Sequence, residues 1–253
     1  DFGKIDSDYY IAMELVDGPS LHTVVKSFAT RAKKLPLGAV LRIVSQAAQA
    51  LDYVHRQKGP DGAPLNLVHR DISPGNLLLS KDGLVKLIDF GIAKARTTQR
   101  QTAMGQIRGK LAYMSPEQML GQPLDGRTDI YSLGLVLFEL LSGRRANPGR
   151  NEVEILSSVR TATLAPIQSL RHDCPASLGR VLERATARDR ELRFGRAGEL
   201  SQALEQTLVE AGLAVGPIDL ANVAEEVELQ PPRPSPASAP PARSTALPTQ
   251  TGV

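Results

Sequence analysis

The chain has 253 residues, of which 42% are hydrophobic and 23% charged, with a formal net charge of +3; this suffices for one large domain or two small ones around a sizeable core. Lys and Arg are spread along the chain and aromatics make up only 4%, which argues against a nucleic-acid surface, since that needs clustered basic residues with stacking aromatics. The single cysteine, Cys174, excludes an internal disulfide and fits a reducing cytoplasmic compartment, and the longest apolar run, around 133–141, is broken by Glu139 and falls far short of a membrane span.

No signal peptide is visible, and the chain opens on Asp1-Phe2-Gly3, so a preceding segment is expected. Residues 9–14 predict a strand, with Asp17-Gly18-Pro19 as a connector. After Pro36, the residues Val40, Ile43, Val44, Ala47, Leu51 and Val54 recur at spacings of three and four, which predicts a helix reaching about Gly59. A polar loop over 59–66 follows. Residues 77–79 and 84–88 predict two short strands, joined as a hairpin by Lys81-Asp82-Gly83. The polar, aperiodic stretch 99–110 predicts a mobile loop. Residues 128–141 are apolar on nearly all sides, so this helix is expected to be buried all round. Further helices are predicted over 152–160, 177–187 and 197–212. Seven of the chain's 18 prolines fall between Pro231 and Pro248, and such a stretch cannot bury enough apolar surface to offset its ordering entropy. A linker or tail is therefore expected over 214–253. The ordered part reads as an α+β domain, mainly helical, and Cys174 as a packed thiol.

Two short stretches carry the chemistry: His69-Arg70-Asp71-Ile72-Ser73-Pro74-Gly75-Asn76, and Asp89-Phe90-Gly91. Phosphoryl transfer leaves a protein little covalent work; it needs the attacking hydroxyl oriented, the nucleotide phosphates held and their charge neutralised by magnesium. One carboxylate must face the hydroxyl, while another carboxylate and an amide oxygen supply the hard ligands that Mg²⁺ favours. Asp71, Asp89 and Asn76 form such a set, and the predicted hairpin runs from Asn76 to Asp89. Singly, each of these residue types is more often a surface or capping residue; the ordered pair of motifs makes the difference.

These motifs resemble the catalytic loop and metal-binding motif of the eukaryotic-like serine/threonine protein kinases found in bacteria, and the resemblance runs from about Tyr9 to Leu213. It implies a protein-kinase-like fold in which 1–16 are a remnant of the small lobe's strands and hinge, 17–213 the large lobe and 214–253 a Pro/Ala/Ser-rich tail. It implies ATP and Mg²⁺ as cofactors and serine or threonine of proteins as acceptors. Asp71 would then orient the hydroxyl, Asn76 and Asp89 would hold magnesium, and His69 and Phe90 would stack between the lobes, with Gly91 closing the motif. Tyr10-Ile11-Ala12-Met13-Glu14-Leu15-Val16 resembles the last small-lobe strand and hinge. Glu14 and Val16 would bond adenine through their backbones, with Met13 beside it, Leu78 beneath it and Asp17 facing the ribose. For Met13 and Leu78 the alternative is ordinary core packing. Tyr113-Met114-Ser115-Pro116-Glu117-Gln118 resembles the end of the activation segment, and Arg193 the buried partner of Glu117. Asp129 resembles the helix-start aspartate that holds the catalytic loop, and it is equally a first-turn carboxylate favoured by the helix dipole. Arg70 would bind a phosphorylated activation loop, with Thr102 the expected site among Thr97, Thr98 and Thr102.

The pattern is broken in three places. The glycine-rich loop, strand lysine and helix glutamate that the family places before the hinge do not precede it here, so the chain reads as a fragment with little turnover of its own. Where the family has a lysine two residues after the catalytic aspartate, this chain has Ser73. Where it has a threonine after the glycine near the end of the activation segment, this chain has Lys110 after Gly109. Either the Lys110 ammonium fills the space that Ser73 vacates and faces Asp71, or Lys110 is solvated and Ser73 merely caps its loop. Small-molecule phosphotransferases share the carboxylates but lack the activation segment, and a pseudokinase or scaffold would not need them intact. The proline-rich end leads, in many relatives, to a membrane span or sensor domain, so the parent protein could be membrane-tethered.

Overall fold

The computed structural model describes residues 2–5, 8–89, 110–149, 151–161 and 164–229. It opens on an antiparallel pair, β1 (Phe2–Ile5) and β2 (Asp8–Ile11), in register from Phe2 opposite Ile11 to Ile5 opposite Asp8. The predicted strand is thus shorter than 9–14, and its partner was not predicted. Tyr9, Tyr10, Ile11, Met13 and Leu15 all remain exposed.

Helix α1 (Leu21–Thr30) also escaped prediction, because its Thr and Val residues lower helix propensity. It is started by Ser20, whose hydroxyl accepts from the Thr23 N–H at 3.3 Å, and it buries Leu21, Val24, Val25 and Phe28 at helical spacing. Helix α2 (Leu37–His55) follows Pro36 and buries the predicted stripe except for half-buried Val54, ending four residues earlier than Gly59. A 3₁₀ turn, Pro74–Asn76, then feeds β3 (Leu77–Leu79), which pairs antiparallel with β4 (Val85–Leu87).

The short α3 (Pro116–Met119) precedes α4 (Gly126–Ser142), which Asp125 caps by accepting from the Arg127 N–H at 2.9 Å. Every residue of α4 from Thr128 to Leu141 is buried, as its all-round apolar sequence predicts. Around it lie α2, α6 (Ile167–Leu170), α7 (Ala176–Ala185) and α8 (Ala197–Glu210), while α5 (Glu152–Thr161) packs near α3. Each large aliphatic side chain fully buried here contributes about 1.5–3 kcal/mol relative to exposure. Cys174 is buried, and burial first of all pushes its thiol up to about 11, which leaves it unreactive.

One boundary is corrected. Residues 217–229, expected within the tail, form helix α9 (Pro217–Leu229), and Leu220, Val223, Ala224 and Val227 bury against α1, α2 and β3. Those four recur at spacings of three, one and three, a stripe that the prolines farther along masked in a composition-based reading. Glu226 ties α9 to Arg31 at 2.8 Å and Lys33 at 3.0 Å. At its start, Gly83 (φ +74°) lies so close that a Cβ would stand 1.9 Å from the Pro217 carbonyl. The remainder of the expected tail, 230–253, lies outside the described residues. None of the described helices is long and apolar enough to cross a membrane.

Candidate active site

The loop between α2 and β3 is hung from a single carboxylate. Asp129, in the first turn of α4 and fully buried, accepts from the His69 N–H on one oxygen and the Arg70 N–H on the other, each at 2.8 Å. His55, at the end of α2, brings its Nε2 to 2.8 Å from the same Asp129. Both readings of Asp129, loop anchor and first-turn carboxylate, hold together. Arg70 has φ +65°, a conformation that costs a non-glycine residue about 1–2 kcal/mol; the two bonds to Asp129 offset it.

His69 is wholly buried, and its Nε2 lies 3.0 Å from the Ile88 carbonyl while its Nδ1 accepts from the Asp71 N–H at 3.3 Å. Burial pushes the imidazole below its ordinary value against the pull of Asp129 and the Ile88 carbonyl, so the ring is neutral with its proton on Nε2. The Asn76 amide nitrogen donates to the Asp71 carbonyl at 2.7 Å, and the Asn76 carbonyl in turn accepts from the Ile88 N–H at 3.0 Å. The loop turns back on itself, and Asp89 follows directly after the residue bonded to Asn76. Asp89 is exposed and left-handed, with φ +58°.

Asp71 is 8% exposed, and Lys110 reaches it: Nζ stands 2.5 Å from Oδ2. The Lys110 ammonium is thus paired with Asp71, while 40% of its side chain stays exposed. The segment carrying it is fastened to α4 and the loop beyond. Asn147 donates to the Ala112 carbonyl at 2.9 Å and Ser132 to the Tyr113 carbonyl at 2.7 Å. The Tyr113 hydroxyl donates to Glu139 in a short bond. Downstream, Ser115 and Gln118 form a capping box at the start of α3, and Gln118 donates to the Arg70 carbonyl at 2.9 Å. Glu117 receives both guanidinium nitrogens of Arg193, at 2.6 and 2.8 Å, and the Thr128 hydroxyl at 2.9 Å. Burial alone would raise the Glu117 carboxyl, but the bonds from Arg193, the backbone and Thr128 hold it below its ordinary value. Removing either partner of this buried pair would leave a charge unmatched, at a cost of about 3–5 kcal/mol.

The residues predicted to surround a nucleotide are brought together only in part. The connector runs beside β3: Leu79 donates to the Pro19 carbonyl and Lys81 to the Asp17 carbonyl, each at 2.9 Å, and Ser20 bridges to Leu78. Gly18 makes this approach possible, since a Cβ there would lie 2.0 Å from the Leu79 carbonyl oxygen. Leu78 is half-buried on the face of β3 opposite Leu77 and Leu79, as an apolar floor would be. Val16 is half-buried too, whereas Met13 is 61% exposed and not the core residue that packing alone would make it. The side chains of Glu14 and Asp17 pair with Lys86 at 3.1 Å and Lys81 at 2.9 Å. Phe90, Gly91, Thr97, Thr98, Thr102 and Gly109 lie outside the described residues.

A magnesium ion suits this donor set. The Asn76 amide nitrogen is committed to the Asp71 carbonyl, which leaves Oδ1 as the end available to a cation, and the Asn76 main-chain carbonyl accepts from Ile88, the residue before Asp89. Among the described residues no group of three or more His, Cys, Asp or Glu could hold a metal; Mg²⁺ typically takes one or two carboxylates and completes its shell with phosphates and water. Sequence reasoning missed His55, which gave no signal, and the Tyr113–Glu139 contact, which gave one: a lone carboxylate inside an otherwise apolar helix requires a partner.

Compared with known proteins, residues 1–207 match the family described as protein kinase domain. A tyrosine-protein kinase of Myxococcus xanthus, MasK, is 39% identical over 210 residues, which cover 83% of this chain and 32% of that protein. The serine/threonine-protein kinase PknH of Mycobacterium tuberculosis is 31% identical over 246 residues, 97% of this chain and 37% of that one. The chain therefore spans about a third of the length of these relatives. A crystal structure of the Mycobacterium tuberculosis PknI kinase domain superimposes with a TM-score of 0.62 at 30% identity, covering 83% of this chain and 70% of that one. The mainly helical α+β architecture, the buried loop anchor and these matches agree: this chain belongs to the protein kinase domain family, among the eukaryotic-like kinases of bacteria.

Proposed function

We propose that this chain carries the catalytic centre of a protein kinase that transfers the γ-phosphate of ATP to serine or threonine of protein substrates. The observation that carries the reading is the set of Asp71, Asn76 and Asp89 on one loop and hairpin, with the loop backbone fixed by buried Asp129. Asp71 orients the acceptor hydroxyl and takes its proton. Asn76 and Asp89 would hold magnesium, which when bound supplies positive charge to the phosphates. The backbone of Glu14 and Val16 would bond the adenine, Leu78 lies under it, Met13 beside it, and Asp17 faces the ribose. Arg70 would receive a phosphate on Thr102, and His69 would stack with Phe90. On this reading 1–16 belong to the small lobe, 17–229 to the large lobe, and the protein acts in the cytoplasm.

A second acceptor is favoured by one specific likeness, since MasK is by its name a tyrosine kinase. The test is ³²P transfer from ATP–Mg²⁺ to a generic protein substrate by the full-length gene product and its Asp71→Asn variant, followed by phosphoamino-acid analysis. Asp71→Asn is expected to lower turnover about 10²- to 10⁴-fold, the usual contribution of a positioned acid–base group. Label on serine and threonine supports the leading reading, and label on tyrosine alone the second. Equal turnover by both proteins would remove Asp71 from the chemistry. Absence of both transfer and Mg²⁺-dependent ATP binding would favour a scaffold role.

A further inference from the structure

Resting on the phosphotransfer reading, we propose that Lys110 is a catalytic residue whose ammonium holds the transferring phosphoryl group beside Asp71, where Ser73 offers no charge. Three observations converge. Lys110 Nζ stands 2.5 Å from Asp71 Oδ2, within reach of any group that approaches that carboxylate. The Asp71 side chain is 7% exposed while that of Lys110 is 40% exposed, so the lysine lies on the open side of a buried carboxylate. Ser73 is buried, and its neutral hydroxyl sits two residues beyond Asp71.

The electrostatic argument is direct. An ionised Asp71 repels the phosphoryl oxygens that must approach the hydroxyl it orients. A cation lodged against that carboxylate cancels the repulsion and stabilises charge on the equatorial oxygens in a site of low dielectric. Lysine acts on phosphate as a point charge on a flexible stem, so its attachment point can differ while the ammonium occupies the same place. In the step itself, the acceptor oxygen forms a bond to the γ-phosphorus and the bond to the β–γ bridging oxygen breaks. ADP leaves with that electron pair and the hydroxyl proton passes to Asp71. Lys110 keeps its proton throughout and contributes charge alone.

The placement also changes what controls the site. The ammonium rides on the segment that Asn147, Ser132 and Glu139 fasten through Ala112 and Tyr113, not on the loop anchored by Asp129. Charge reaches the phosphate only while that segment is seated.

The test is a charge swap in the full-length gene product, comparing Lys110→Thr, Ser73→Lys, the double variant and Asp71→Asn. Lys110→Thr is expected to lower kcat about 10²- to 10³-fold, as when one preorganised stabilising contact is lost. ATP KM and melting temperature should hardly change. Ser73→Lys combined with Lys110→Thr should recover most of the lost kcat, which a merely structural lysine would not permit. Full kcat in Lys110→Thr, or a double variant as slow as the single one, would overturn the proposal while leaving phosphotransfer intact. An inactive wild type, or Asp71→Asn with wild-type turnover, would overturn the phosphotransfer reading and this one with it.

Discussion

Glu139 sits in the last turn of α4 at 5% exposure, between Phe138 and Leu140. Burial pushes its carboxyl above the ordinary value, and the Tyr113 hydroxyl and the charges of Arg145 and His22 only partly oppose that. The same burial, reinforced by Glu139, pushes the Tyr113 phenol upward, so it remains a hydrogen-bond donor. Above the ordinary carboxyl value of 4.5 and up to the raised folded-state value, native Glu139 binds more protons than the unfolded chain does, so its contribution falls as pH rises. Glu139→Gln keeps an acceptor for Tyr113 without the charge. In urea unfolding from about pH 4 to about pH 8 the variant should gain steadily on the wild type; a constant difference would refute the assignment. Glu117 runs the other way: its depressed value makes the Arg193 pair stabilising above 4.5, a contribution lost as pH falls through the folded-state value. The sequence made Glu139 conspicuous as a break in an apolar run, but not its partner 26 residues away, because spacing alone carries no distance across a fold. Asp71, Asn76 and Asp89 were legible because one short loop and one hairpin bring them together.

Helix α9 shows how far composition misleads at the scale of an element. Leu220 and Ala224 are fully buried, whereas Ile218 on the same helix is 70% exposed. Leu220→Ala should destabilise the domain by about 2–5 kcal/mol, as for other buried leucines. Ile218→Ala should stay within about 0.5 kcal/mol of the wild type. Both are read from chemical denaturation, and equal effects would mean that α9 is not part of the core. The other helices divide along similar lines. Those with long apolar stripes, α2 and α4, could be read from sequence. Short α3 and α6 are held by tertiary contacts and a capping box rather than by a periodic face, and the Thr- and Val-containing α1 is helical because it is packed.

Across the molecule the buried mass is unevenly placed. Helix α4 forms its centre, with α2, α6, α7 and α8 against it, while β1 and β2 pair with each other and leave Ile5, Tyr9, Tyr10 and Ile11 exposed. The most buried helix carries in its first turn the residue that fixes the catalytic loop, so loop geometry and core integrity share one support. Asp129→Ala should therefore lower the proposed transferase activity and stability together, the latter by about 1–3 kcal/mol for each N–H group of the loop left without its acceptor. Thermal inactivation monitored by phosphate transfer and unfolding monitored by circular dichroism test the coupling in the wild type: the two curves should superimpose, and inactivation well below the unfolding midpoint would disprove it. Asp129 thus leaves the catalytic loop no temperature range in which it drifts out of alignment inside an intact fold; warming would release loop and core in one step.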